Sequence, residues 1–248
     1  MPDFAVILPA AGKSTRFGGR QKKPFVELEG QPLWLRTANL FRHRPDVCGV
    51  WLVVDAQDRE WVEQRHGPTL HFLGIRLVNG GAERFESVAN ALADLPAEAA
   101  YVAVHDAVRP LTSPALIEAV FERTRQTGAA LAAVPVADTL KRSDDGQLVT
   151  QTISRQGLWL AQTPQAARRD WLVAAYAQRQ QSQQAITDDA QLLEAAGYPV
   201  ALVPGEPSNF KITTQQDLAL AQAVLNARQP TQQPSKMLHP FADDDLAS

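Results

Sequence analysis

The sequence predicts an α/β fold in which a twisted, mostly parallel sheet is covered by helices on both faces. Three observations lead there. Short, near-continuous apolar runs alternate with amphipathic stretches through the first two-thirds of the 248-residue chain. Those runs are rich in β-branched residues, as parallel strands buried on both faces should be. Their spacing leaves room for a helical crossover after each strand.

Taken in order, residues 4–8 read as the first strand and 32–42 as the first helix. A strand at 49–54, a helix at 59–65, a strand at 75–78 and a helix at 84–95 follow. Residues 101–104 form the next strand and 115–127 the next helix. That helix opens at Ser113-Pro114, a serine N-cap with proline at the first helical position. A strand at 129–134 closes the regular pattern. Residues 137–165 then carry alternating segments around the turn Ser143-Asp144-Asp145-Gly146, which reads as a protruding β-hairpin arm. An arm that leaves its own sheet needs a surface to pack on, and a second copy of the chain is the natural candidate. Helices are expected at 170–181, 187–196 and 214–227, with a strand at 199–203. Residues 1–228 make one domain in this reading. Residues 229–248, polar and acidic, read as a flexible tail.

Composition sets further bounds. With 45% hydrophobic residues the chain can bury a core without disulfides or metal, and its single cysteine, Cys48, has no internal partner. That usage suits a reducing cytoplasm. The start of the chain lacks the basic flank and long apolar run of a signal peptide, and no apolar stretch is long enough to span a bilayer. A net charge of −3 argues against a general nucleic-acid binder. Any anionic ligand must therefore be met by a local cluster of positive charge.

The loop at 9–23 supplies such a cluster. It holds three glycines and five basic side chains and no acid. In open α/β sheets ligands bind beyond the carboxyl ends of the strands, where this loop must lie. Small residues let backbone N–H groups approach phosphate oxygens, and Arg and Lys supply the compensating charge. Gly12-Lys13-Ser14-Thr15 imitates the end of a P-loop, but Ile7 stands where that motif needs its first glycine. No register supplies the Gly-x-Gly-x-x-Gly dinucleotide fingerprint either.

Several blocks in order resemble the sugar-phosphate nucleotidyltransferases, and among them the cytidylyltransferases that act on 2-C-methyl-D-erythritol 4-phosphate. They are Pro9-Ala10-Ala11-Gly12 with Arg16 and Lys23, Gly80-Gly81-Ala82-Glu83-Arg84 through Ser87, and His105-Asp106-Ala107-Val108-Arg109-Pro110. Asp138-Thr139-Leu140-Lys141, Arg155, Thr163-Pro164-Gln165, Thr187-Asp188 and Asn209-Phe210-Lys211-Ile212-Thr213 complete the set. The resemblance implies a three-layer, Rossmann-like nucleotidyltransferase fold and a reaction that joins a polyol phosphate to the α-phosphate of CTP. It also implies Mg²⁺ held mainly through the CTP phosphates, with no dedicated protein metal ligands, and a homodimer formed through the hairpin arm.

By the same resemblance Ala10, Ala11, Gly12, Gly81, Arg84, Ser87 and Ala107 surround the nucleotide. Arg16 and Lys23 would stabilise the transition state, while Arg155 and Lys211 position the attacking substrate. Asp106, Arg109, Thr139, Thr163 and Thr187 would contact the polyol phosphate, Thr139 and Arg155 from the partner's arm. The chemistry suits these residues. The attacking phosphate monoester is mostly ionised at neutral pH, since its second pKa is about 6, so no general base is needed. The demand is for fixed cations that bring two anions together.

Plainer accounts exist residue by residue. Thr187 also reads as a helix N-cap, Arg84 as a surface charge, Asp106 as a cap on a neighbouring N–H, and His105 as a packed core histidine. The chain departs from the family pattern at Ser14, Ala82 and Ser208. Lys22 stands where proline commonly precedes the lysine, so Lys22 and Lys23 both qualify, Lys23 by register. Another polyol phosphate such as ribitol 5-phosphate, or a non-catalytic nucleotide-binding module, are the alternative readings.

Overall fold

A computed structural model describes residues 2–12, 22–179 and 186–228. Strand β1 (Phe4–Pro9) leads, beyond the loop, to a 3-10 turn at Lys23–Phe25 and the small antiparallel pair β2 (Glu27–Leu28) and β3 (Gln31–Pro32). Helix α1 (Leu33–Arg42), strand β4 (Val47–Val54), helix α2 (Arg59–Phe72) and strand β5 (Ile75–Asn79) follow. Next come helix α3 (Arg84–Ala93), strand β6 (Tyr101–Val104), helix α4 (Pro114–Thr127) and strand β7 (Ala129–Pro135). The short strands β8 (Leu140–Arg142) and β9 (Gln151–Ile153) precede the long strand β10 (Trp159–Arg168). Helices α5 (Arg169–Arg179) and α6 (Asp189–Ala195), strand β11 (Ala201–Pro204) and helix α7 (Gln215–Arg228) complete the described chain.

Seven strands form one sheet in the order β11-β7-β10-β6-β1-β4-β5. All neighbours pair in parallel except at β10, which runs antiparallel to both β6 and β7. Alternation along β1 divides the core. Phe4, Val6 and Leu8 face α1, α2 and α4, while Ala5 and Ile7 face α3, α5 and α6. Phe4 is fully buried and stacks between Tyr101 at 4.9 Å and Phe121 at 3.8 Å. Truncating such an aromatic core residue costs about 3–5 kcal/mol. Helix α4 starts as its sequence dictates: Ser113 Oγ accepts from the Leu116 N–H at 3.1 Å, and Pro114 occupies the first turn. It stops at Gly128, whose φ of +88° favours glycine.

Two segments differ from the sequence reading by more than a residue or two at their ends. Helix α2 continues through Gly67-Pro68 to Phe72, because the buried Leu70 secures its last turns against the core. The segment 137–165 divides: β8 and β9 form a separate two-stranded ribbon, but residues 159–165 belong to β10 inside the main sheet. Proline and two glutamines within Trp159–Arg168 obscured a strand whose later half is almost wholly buried. Its pairing to β7 shifts register between Ala161 and Gln165, around the cis Thr163–Pro164 bond.

Candidate active site

The carboxyl ends of β1, β4, β5 and β6 meet along one edge of the sheet and open into a two-part cleft. One part lies between Pro9, Ala11 and Gly12 on one side and Gly81–Arg84 on the other. The other is bounded by Gln162 and Gln165 of β10 and by Thr187 and Asp188 before α6. Arg84, Asp106 and Lys211 line both and form the wall they share.

Close backbone approach shapes the first part. A Cβ on Gly80 would stand 2.7 Å from the Ala11 Cβ, and one on Gly81 would stand 2.3 Å from the Glu86 Cβ. Glycine at 80 lets the turn after β5 lie against the turn after β1, and glycine at 81 lets that turn fold back onto the start of α3. Ser87 Oγ accepts from the Gly81 N–H and donates to the Glu83 carbonyl, both at 3.1 Å, so it braces this turn. Helix α3 opens there with a capping box between Glu83 and Glu86.

Asp106 is the electrostatic centre of the shared wall. Its Oδ2 accepts from Arg109 Nε at 3.0 Å and lies 3.2 Å from Lys211 Nζ. Burial alone would raise its pKa, but Lys211, Arg109 and Arg84 outweigh burial and hold the carboxyl well below the usual carboxylate range. The Asp106 N–H donates to Thr163 Oγ1 at 3.1 Å, and that hydroxyl meets His105 Nδ1 at 3.0 Å. Burial pushes the His105 imidazole down to about 4, so it is neutral at pH 7. The Arg109 carbonyl, 3.2 Å from Nε2, can only accept, so the proton of the neutral ring sits on Nε2 and Nδ1 accepts from the Thr163 hydroxyl. Asn209 ties in the last segment: its Nδ2 donates to the Thr163 carbonyl at 2.8 Å, and its own carbonyl accepts from Arg109 Nη1 at 2.7 Å.

The structure thus brings together Ala11, Gly12, Gly81, Arg84, Ser87, Asp106, Arg109, Thr163, Thr187 and Lys211. Ala10 and Ala107 are buried behind the cleft rather than lining it, and the Ala107 carbonyl accepts from Thr37 Oγ1 at 3.0 Å. Thr139 and Arg155 are exposed on the excursion between β7 and β10 and line neither part. Arg16 lies outside the described residues. Lys22 Nζ is held by Asp55 at 3.2 Å and Asp58 at 2.6 Å. Burial alone would lower its pKa, but hydrogen bonds to these two carboxylates outweigh that and raise it. Lys23 begins the 3-10 turn. Sequence reasoning gave no role to Gln165, Tyr176 or Asp189: Arg84 and the Tyr176 hydroxyl meet the Asp189 carboxylate, and Gln165 Oε1 accepts from the Asp189 N–H. No local motif marks such a buried meeting; only the Thr187-Asp188 block pointed at the place, and the N-cap of α6 is Asp188 rather than Thr187.

Fold and cleft together define a class: an α/β protein with a cation-lined cleft at the carboxyl ends of its strands, the place where nucleotide-binding sheets hold their phosphates. Comparison with known proteins narrows it. The family model described as 2-C-methyl-D-erythritol 4-phosphate cytidylyltransferase matches residues 4–227. The protein of that name from Rhodopirellula baltica is 40% identical over 234 residues, covering 90% of this chain and 94% of its own. The crystal structure of the protein of that name from Thermus thermophilus superposes with a TM-score of 0.76 at 35% identity, covering 91% of this chain and 100% of that one. A bifunctional enzyme IspD/IspF from Desulfotalea psychrophila is 39% identical over 241 residues, 97% of this chain, which spans 61% of that relative's length. The chain therefore belongs to the 2-C-methyl-D-erythritol 4-phosphate cytidylyltransferase family.

Proposed function

We propose that the protein transfers CMP from CTP to 2-C-methyl-D-erythritol 4-phosphate, releasing pyrophosphate, in the synthesis of isoprenoid precursors by the non-mevalonate route. Beside family membership, one observation carries this reading: Arg109 and Lys211 converge on the ionised Asp106 carboxylate, with Arg84 beside them on the same wall, between a backbone-walled half-cleft and a polar one. A phosphate oxygen of the acceptor attacks the α-phosphorus of CTP. The bond from that phosphorus to the bridging oxygen breaks, and the electron pair leaves with pyrophosphate. No proton has to be removed first, which fits a cleft whose buried imidazole is neutral and turned toward structural partners. Lys211, together with Arg155 supplied by the arm of a second copy, positions the acceptor, and Arg16 and Lys23 stabilise the charge that builds on the transferring group.

Among the described residues no three or more His, Cys, Asp or Glu side chains are grouped to hold a metal. Mg²⁺ keeps several waters and binds substrate phosphates readily, so we read it as held mainly through the CTP phosphates with no dedicated protein ligand. When bound, the ion neutralises phosphate charge. We further read the protein as a cytoplasmic homodimer. Support comes from Leu148, Val149, Leu158, Trp159 and Leu160, all exposed where β7 gives way to β10. No helix among the described residues is long and apolar enough to cross a membrane.

Pyrophosphate release with CTP, Mg²⁺ and either methylerythritol phosphate or ribitol 5-phosphate tests the reading. Turnover is expected with the first. Turnover confined to the second would overturn the acceptor assignment, and CTP binding with no turnover would leave a nucleotide-binding module. EDTA is expected to stop turnover without changing the far-UV circular dichroism.

A further inference from the structure

Arg84 is the one side chain of α3 that reaches both halves of the cleft, and its partner comes from a distant part of the chain. Its Nη2 lies 2.7 Å from Asp189 Oδ2, at the first turn of α6. Asp189 is 1% exposed. Its other oxygen, Oδ1, accepts from the Tyr176 hydroxyl of α5 at 2.5 Å. The backbone there is clamped as well: Gln165 Oε1 on β10 accepts from the N–H groups of Asp189 at 3.0 Å and Ala190 at 2.9 Å. Gln165 Nε2 donates to Asp188 Oδ2 at 2.9 Å, and Asp188 caps α6 through the Gln191 N–H at 3.0 Å.

A buried carboxylate with both oxygens occupied, on a helix end fixed by a third element, has one outward-facing consequence. It sets the direction of the Arg84 guanidinium. An arginine side chain has many rotamers, and holding one in advance removes that ordering cost when an anion binds. Burial and the Asp189 charge push the Tyr176 hydroxyl well up, so it stays a donor. We infer that Asp189, braced by Tyr176 and Gln165, is a positioning residue that holds Arg84 ready for the triphosphate of the nucleotide. The inference rests on the nucleotide reading of the first half-cleft.

CTP affinity, measured by calorimetry on the full chain with Mg²⁺ and no acceptor, tests it. Arg84→Ala is expected to weaken binding, and Asp189→Asn to weaken it about tenfold or more, the scale of a lost charge-assisted hydrogen bond. In an Arg84→Ala background Asp189→Asn should add little. Should Asp189→Asn fail to fold, Tyr176→Phe removes only the brace and is expected to weaken CTP binding severalfold with unchanged circular dichroism. If Asp189→Asn, or Tyr176→Phe in its place, weakens CTP equally with and without Arg84, Asp189 is merely structural and the inference falls. If Arg84→Ala weakens CTP but neither partner variant does, the inference falls alone. If Arg84→Ala leaves CTP affinity unchanged, the nucleotide role of Arg84 falls with it.

Discussion

Replacing Asp106 by asparagine removes the negative charge on which the cleft cations converge while keeping the side chain's shape. Breaking one side of a buried ion pair costs about 3–5 kcal/mol. Arg109 is only 12% exposed, but Lys211 is 40% exposed, so water screens its share. Discounted for that screening, the expected loss is about 2–3 kcal/mol. For a domain of this size that corresponds to a fall in Tm of about 5–10 °C. The pH dependence makes the test sharper. The folded carboxyl binds its proton more weakly than the unfolded one, whose pKa is about 3.9. Its contribution is therefore complete above about pH 4 and lost progressively as pH falls below it toward the folded value. At pH 3 about 1 kcal/mol of the difference between wild type and Asp106→Asn should have gone. Urea unfolding of both proteins at pH 7 and pH 3 measures the gap directly. An equal gap at the two pH values would refute the assignment of Asp106 as a carboxylate held ionised by these cations.

Other outcomes follow from the same network. His105 is lowered to about 4, so the unfolded state takes up a proton first, and wild-type stability should fall as pH drops from about 6.5 toward 4, by about 2 kcal/mol at pH 5. His105→Gln should lack that slope in urea midpoints at pH 7 and pH 5; an unchanged slope would place the acid sensitivity elsewhere. Thr163→Val strands the buried Asp106 N–H and should cost about 1–3 kcal/mol in chemical denaturation, whereas Thr163→Ser should recover most of it. Lys22→Ala, which loses a partly exposed ion pair, should cost about 1 kcal/mol or less and leave kcat within about threefold. Lys23→Ala should lower kcat about a hundredfold or more, and the reverse ranking in steady-state kinetics would make Lys22 the catalytic lysine.

The sheet was legible in the sequence wherever burial on both faces wrote an unbroken apolar run, as at β1, β4 and β6. It was illegible at β10, where Gln162 and Gln165 enter a strand because their amides are spent on Glu206, Asn209 and the start of α6. Glutamines buried for their hydrogen bonds look, in one dimension, like solvated loop. The site divides in the same way. Arg84, Asp106, Arg109 and Lys211 stand in recognisable blocks, and the fold brings those blocks together. Asp189 and Tyr176 act through contacts across 105 and 13 residues of chain, which no local pattern records.

The single reversed strand has a consequence for how such a protein changes over time. Pro135 pairs with Trp159 and Val134 with Leu160, so the excursion between them departs and returns at adjacent points on the rim of the cleft. The sheet has no stake in what lies between those points. Substitutions, insertions or deletions there can reshape the excursion while the strands that carry the cleft residues stay as they were. A fold with this layout can vary one detour without rebuilding its sheet.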